Sequence, residues 1–162
     1  MMVSDIATKN MPEDFQVNIK IKLSALWVAV MFCYVYGDYF ILFVPGHVKN
    51  LMDGNSGVGT TTPLSLLGFS VMMTLPIVMI FLSLMLKAKV NRWANIFVGI
   101  FFTLIMALIV VTSKSQWMLF YIYLGLVEMI LTGTIAWLAW KWPKQTLQNQ
   151  SSDLKVHQVK AA

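Results

Sequence analysis

Along this chain the polar residues are gathered into a few short segments, and between them run four long, almost uninterrupted apolar stretches. These cover about residues 23–44, 64–86, 93–112 and 117–140. Each is long enough as a helix to cross about 30 Å of hydrocarbon at about 1.5 Å per residue. The pattern therefore predicts an all-α integral membrane protein, an antiparallel bundle of four transmembrane helices joined by short connections. The first stretch is too long for the apolar region of a signal peptide, and no small-residue cleavage site follows it, so it is expected to be retained.

The intervening segments divide the rest of the chain. Residues 1–22 form an N-terminal segment, residues 23–142 the transmembrane domain, and residues 143–162 a polar tail expected to be disordered. Within the first segment, Pro12, Glu13 and Asp14 resemble a helix start. Phe15, Val17, Ile19 and Ile21 instead alternate with polar residues, as a strand would. A lone strand at a membrane surface has no partner, so an interfacial helix leading into span one is the favoured reading. The connection from Pro45 to Pro63 is rich in Gly and Thr and reads as irregular. Pro76 falls near the middle of span two, where it removes one backbone hydrogen bond and predicts a kink.

Charge then orients the bundle. Lys9, Lys20 and Lys22 precede span one; Lys87, Lys89 and Arg92 lie between spans two and three; Lys141, Lys144, Lys155 and Lys160 follow span four. Only Lys49 and Lys114 occupy the other two connections. The positive-inside rule puts both termini in the cytoplasm. Trp27, Trp93, Trp137, Trp140 and Trp142 are expected at the inner membrane boundary and Trp117 at the outer one.

Of the 162 residues 58% are hydrophobic and 12% charged, about half the charged share of a soluble domain. The net charge of +5 comes from lysines flanking the spans, so it reads as topology and contact with the lipid bilayer, and excludes a nucleic-acid partner. Cys33 is the single cysteine, which excludes an internal disulfide and a paired-thiol redox centre.

Lipid provides no hydrophobic drive for helices to associate, so their contacts depend on small and hydroxyl residues. Span one carries Ala25, Ala29, Cys33 and Gly37 at intervals of four. Span three carries Asn95, Gly99, Thr103 and Ala107 in the same spacing, and span four Gly125, Glu128, Thr132 and Ala136 on one face. These stripes serve packing within the bundle or, equally for span one, packing in a homo-oligomer.

Two ionisable residues lie inside the spans, Asp38 and Glu128. A charge in hydrocarbon is costly, which makes each a candidate functional group. Glu128 falls about 16 Å into span four, near the midplane, and Asp38 about 9 Å from the outer edge. Tyr34, one turn before Asp38, and Tyr121, two turns before Glu128, are candidate hydrogen-bond partners. No lysine or arginine inside the spans can neutralise the carboxylates, so a protonated or proton-exchanging state suits them. The competing account is a neutral carboxyl that only fixes helix packing, with Asp38 close enough to the edge to reach water. The candidate polar site is therefore Glu128, Asp38, Tyr34, Tyr121 and Thr132.

Several chemistries lack their residues. His47 and His157 lie outside the spans, against paired haem ligation within the bilayer. His47, Asp38 and Asp53 match no metal-ligand spacing, and no phosphate loop, nucleophile elbow or zinc-protease motif occurs. No cofactor, metal or catalytic residue is expected.

The block from Lys20 to Phe40, "KIKLSALWVAVMFCYVYGDYF", together with "NRWANI" at Asn91–Ile96 and "WLAWKWP" at Trp137–Pro143, resembles domain-of-unknown-function family 6326. That resemblance covers most of the chain between Lys20 and Pro143. It implies a small four-helix protein of the bacterial inner membrane, with no activity to carry over. The layout is also similar to that of DoxX-like four-helix proteins, although no specific motif is shared. Two functions fit. One is binding or translocation of a small solute or protons at an intrabundle carboxylate site. The other is a non-catalytic accessory or structural subunit whose small-residue stripes contact a membrane complex. Small multidrug transporters also place a glutamate inside a four-span chain, but in the first span, and none of their other motifs is present.

Overall fold

The computed structural model describes residues 16–57, 59–113 and 115–143. Four helices among them are long and apolar enough to cross a membrane: α1 (Ile19–Ile41), α3 (Pro63–Met85), α4 (Ala88–Thr112) and α5 (Leu119–Trp140), the last preceded by a 3-10 turn at Gln116–Met118. A short helix, α2 (His47–Met52), lies in the connection between α1 and α3. Among the described residues there is no strand, only an isolated Asn55–Thr60 bridge. The protein is an all-α, multi-pass membrane bundle.

Local signals account for the ends. The Asn18 side chain accepts a hydrogen bond from the Lys20 amide at 3.0 Å and starts α1 directly after the extended Gln16–Asn18. The tail from residue 144 and the segment up to Phe15, with its expected interfacial helix start, lie outside the described residues. Thr62 and Ser65 form a reciprocal capping box at the start of α3, with Pro63 at the first helical position. Gly46 adopts a left-handed φ of 80°, letting the chain reverse out of α1 into α2 without Cβ strain.

In cross-section α5 packs extensively on α4 and on α1, and α1 packs on α3. Helices α3 and α4 are joined by the shortest connection yet share much the smallest interface of the neighbouring pairs. What joins them sits at their connected end. Asn91 Nδ2 donates to the Ser83 carbonyl, and Ser83 Oγ donates to Asn95 Oδ1 at 3.3 Å. Asn95 Oδ1 also accepts the Trp27 indole N–H at 2.8 Å, and Asn95 Nδ2 returns to Asn91 Oδ1 at 2.6 Å. All four residues are buried, and the network ties α1, α3 and α4 together. Ser24 Oγ adds a bond to the Ile80 carbonyl at 2.9 Å, and Lys20 Nζ caps the C-terminal end of α3 through the Leu84 and Leu86 carbonyls.

Trp27 thus departs from the expected aromatic belt. It is fully buried, packed edge-on against Phe102, and belongs to an apolar cluster with Leu23, Val30, Met79 and Ile135. Trp93, Trp137 and Trp140 are exposed at the basic end, with Arg92 5.9 Å from the Trp93 and Trp140 ring centres and Lys141 4.3 Å from that of Trp137. Trp117 is exposed at the opposite, loop end.

Small residues set the α4–α5 contact. A Cβ at Gly99 would come within 3.1 Å of the Thr132 carbonyl oxygen, and one at Gly125 within 2.9 Å of Met106 and Val110. Thr103 and Thr132 hydroxyls meet between them at 2.7 Å. The span-one stripe behaves differently. Gly37 is buried against Tyr121 and Cys33 is half-buried, but Ala25 is exposed and does not pack within the bundle. The buried face of α1 is instead Leu23, Ser24, Trp27, Val30 and Gly37.

Pro76 is buried within α3, which runs unbroken past it. Every buried residue of α3 (Pro76, Met79 and Ser83) lies in the half nearer the basic end. Its loop-side half carries no buried residue.

These contacts rank substitutions. Asn95→Leu strands the Trp27 indole and Ser83 hydroxyl donors and the Asn91 side-chain oxygen, and is expected to destabilise the bundle by ~1–3 kcal/mol. Gly99→Val is expected to cost ~1–3 kcal/mol by overpacking. Gly68→Ala, where nothing lies within 4 Å of the new Cβ, is expected to be neutral or stabilising. Thermal unfolding in detergent, followed by tryptophan fluorescence, checks the order.

Candidate functional site

Because α3 and α4 diverge above their hydrogen-bonded end, a space opens between them. It is a chamber of about 420 Å³ in the loop-side half of the bundle. All four long helices contribute to its wall: Tyr34 and Asp38 from α1, Phe69, Met72 and Met73 from α3, Phe102 and Met106 from α4, and Tyr121 from α5. His47 and Leu51 of α2 and Ser56 of the following loop border its loop end. Four aromatic side chains, three methionines and five leucines or isoleucines line it, and Asp38, His47, Ser56 and the two tyrosines supply its polar groups. Among the described residues no lysine or arginine lines it.

A second, much smaller cavity of about 10 Å³ lies alongside, bordered by Cys33, Tyr34, Gly37, Met106, Tyr121, Leu124, Gly125 and Glu128. Tyr34, Met106 and Tyr121 border both spaces and form the partition between them. The small cavity has about the room one water molecule needs, with polar partners to hold it.

Glu128 faces this cavity because α5 turns its small face inward. Gly125, Glu128 and Thr132 are all buried there, and Gly125 lets Met106 and Val110 close over the position one turn away. Glu128 is 2% exposed, and its Oε1 is buried without a hydrogen-bond partner among the described residues. The other such atoms, Thr61 Oγ1 and Arg92 Nε, belong to the ends of the bundle, so Glu128 holds the unsatisfied one in its interior. A buried polar atom without a partner costs about 1–3 kcal/mol, and more when charged.

Asp38 is placed differently. It is exposed and lines the large chamber, but not the small cavity. Tyr34, one turn earlier on α1, lies between the two carboxylates in the wall, and Tyr121 approaches Gly37 from α5. Of the other candidate, Thr132, the hydroxyl is fully engaged with Thr103 and with the Glu128 carbonyl at 2.9 Å, and it borders neither cavity. It helps hold the α4–α5 contact beside the site. His47 shares the chamber with Asp38, while Asp53 does not line it, and no three His, Cys, Asp or Glu side chains come together among the described residues.

Of the chamber's α3 wall, sequence reasoning placed Met72 in a loose span-two stripe with Gly68, Met79 and Ser83, and did not single out Phe69 and Met73, because nothing separates such residues from lipid-facing ones in an apolar run. Nor did it place Cys33 beside Glu128; its spacing relative to Gly37 was the available signal.

The sequence profile of a family of unknown function, DUF6326, matches residues 13–149, and the chain belongs to that family. No curated protein and no solved structure matches it.

If water reaches the polar groups of the chamber, a cysteine there will meet a charged reagent. In a Cys33→Ala background, Ser56→Cys and Asp38→Cys are expected to react with a membrane-impermeant methanethiosulfonate at least ~10-fold faster than native Cys33 does in the wild type. Equal rates would show that the chamber excludes water.

Proposed function

We propose that this member of the family binds a small solute in the loop-side chamber and exchanges a proton at Glu128, which stands behind it. The observation that carries the reading is the unpartnered, buried Glu128 Oε1 facing a water-sized cavity that shares a wall with the chamber. A carboxyl used only for packing would spend its oxygens on hydrogen bonds to neighbouring helices. Here the Tyr34 hydroxyl is the side chain that interacts with the carboxyl, and Oε1 is left without a partner among the described residues.

The asymmetry of the bundle supports the same reading. The end carrying the Asn95 network is sealed by Trp27, Phe102 and the surrounding apolar cluster, so the chamber is a blind pocket, not a continuous pore. The basic residues gather at that sealed end. In a bacterial inner membrane with both termini cytoplasmic, as their distribution favours, the chamber faces the outer side.

The titratable groups around Glu128 are few. Cys33, Tyr34 and, further along the wall, Asp38 come from α1, and Tyr121 from α5 itself; α4 presents Met106 and α3 presents none to the small cavity. A proton on Glu128 can thus be followed with little interference. Infrared difference spectroscopy in proteoliposomes is expected to show a carboxylic C=O band that disappears as pH rises. Glu128→Gln is expected to remove that band and Asp38→Asn to retain it. A spectrum of the wild type and Glu128→Gln that is identical across the pH range, in proteins of equal thermal stability, overturns the reading.

A further inference from the structure

We propose that the chamber's ligand is an organic cation with an apolar body, held by Asp38, and that it never touches Glu128. This deepens the reading of the chamber as a solute site and rests on it.

The argument begins with size. The chamber holds about 420 Å³ and the cavity before Glu128 about 10 Å³, so a molecule that fits the first cannot enter the second. The two in-span carboxylates are thereby sorted by what can reach them. Glu128 is left to protons and water, and Asp38 is the acidic group that a solute meets.

Charge comes next. Asp38 supplies a carboxylate to the chamber wall, and among the described residues no lysine or arginine balances it there. An anion would face that carboxylate with His47, on the α2 side, as the one basic side chain among the described lining residues. A metal ion is a poor match, because hard cations need about six or more oxygen ligands converging at short range, and here one carboxylate faces a wide apolar space.

The remaining wall selects for an organic body. Tyr34, Phe69, Phe102 and Tyr121 present aromatic rings, and Met72 and Met106 present thioethers. An alkylammonium gains from ring faces through cation–π attraction, most strongly where water is scarce. Methionines adapt to irregular apolar shapes, which suits a body of variable form. Tyr34 and Phe102 already meet edge to face, with ring centres 6.0 Å apart, so this part of the wall is held in place before a ligand arrives.

The test uses three probes of similar size and different charge: benzyltrimethylammonium, its neutral carbon isostere neopentylbenzene, and phenylacetate. Binding is measured by equilibrium dialysis against nanodiscs containing the full chain, with empty nanodiscs subtracted. The ammonium is expected to bind at least ~10-fold more tightly than the isostere, and phenylacetate not at all. Asp38→Asn is expected to abolish the preference for the ammonium. Glu128→Gln is expected to keep it, since the two do not touch. If the isostere binds as tightly as the ammonium, the cation assignment fails while the proton site at Glu128 stands. If Asp38→Asn keeps the preference, Asp38 is not the group that holds the charge. If no probe binds beyond the empty nanodisc, the chamber is not a site for this class.

Discussion

Everything above the basic end of this bundle depends on how that end is closed. In lipid, apolar faces gain little by meeting each other, and what joins helices is close packing and hydrogen bonding. Asn95 provides the bonding: its carbonyl oxygen accepts from both Trp27 of α1 and Ser83 of α3, and its amide returns to Asn91 on α4. Three helices are thereby fixed at one level of the membrane. With that level fixed, α3 can diverge toward the loop end without leaving the bundle, and its divergence makes the chamber. A helix held along its full length would have closed it.

The small residues explain where closure does occur. Gly99 and Gly125 bring α4 and α5 so near that a single added carbon would meet neighbouring atoms, and the Thr103–Thr132 bond sits between them. Glu128 is buried as a consequence, since it shares the face that carries Gly125 and Thr132. On α3 the corresponding small residue, Gly68, has nothing within 4 Å of a built Cβ. One interface is therefore packed to contact and the other is left open, and the carboxylate site lies where these two arrangements adjoin.

The features legible in the sequence were those with a period or a cost. Four apolar runs announce four spans, and stripes of small residues at intervals of four foretell the α4–α5 contact. Glu128 and Asp38 stand out because hydrocarbon makes any ionisable group conspicuous. What stayed hidden depends on long-range pairing. Trp27 was expected at the interface because tryptophans gather there, yet an indole that finds a buried acceptor can sit at the core; its partner lies far along the chain. Ala25 fits a packing stripe by spacing alone, but α1 is rotated so that Leu23, Trp27 and Val30 face inward and Ala25 outward. Spacing defines a stripe without saying which stripe a neighbour will choose. The chamber was equally invisible, since Phe69 and Met73 differ in no local way from apolar residues that meet lipid.

The stretch around Asp38 gains its meaning only from this arrangement. Its aromatic residues divide by face: Phe32, Tyr36 and Phe40 stack in succession on the exposed side of α1, whereas Tyr34 turns inward to Phe102 and the two cavities. Gly37 is buried against Tyr121 at ordinary contact distance, and its neighbour Asp38 emerges into the chamber. A span of this composition could have carried its aspartate as a chance polar residue reaching for water. Instead, the same helix presents Tyr34 to the partition and Asp38 to the open side of it, one turn apart. The two carboxyl groups are thereby placed in different surroundings: Asp38 is exposed on the larger, mostly apolar chamber, and Glu128 is buried with one oxygen unbonded beside the smaller cavity.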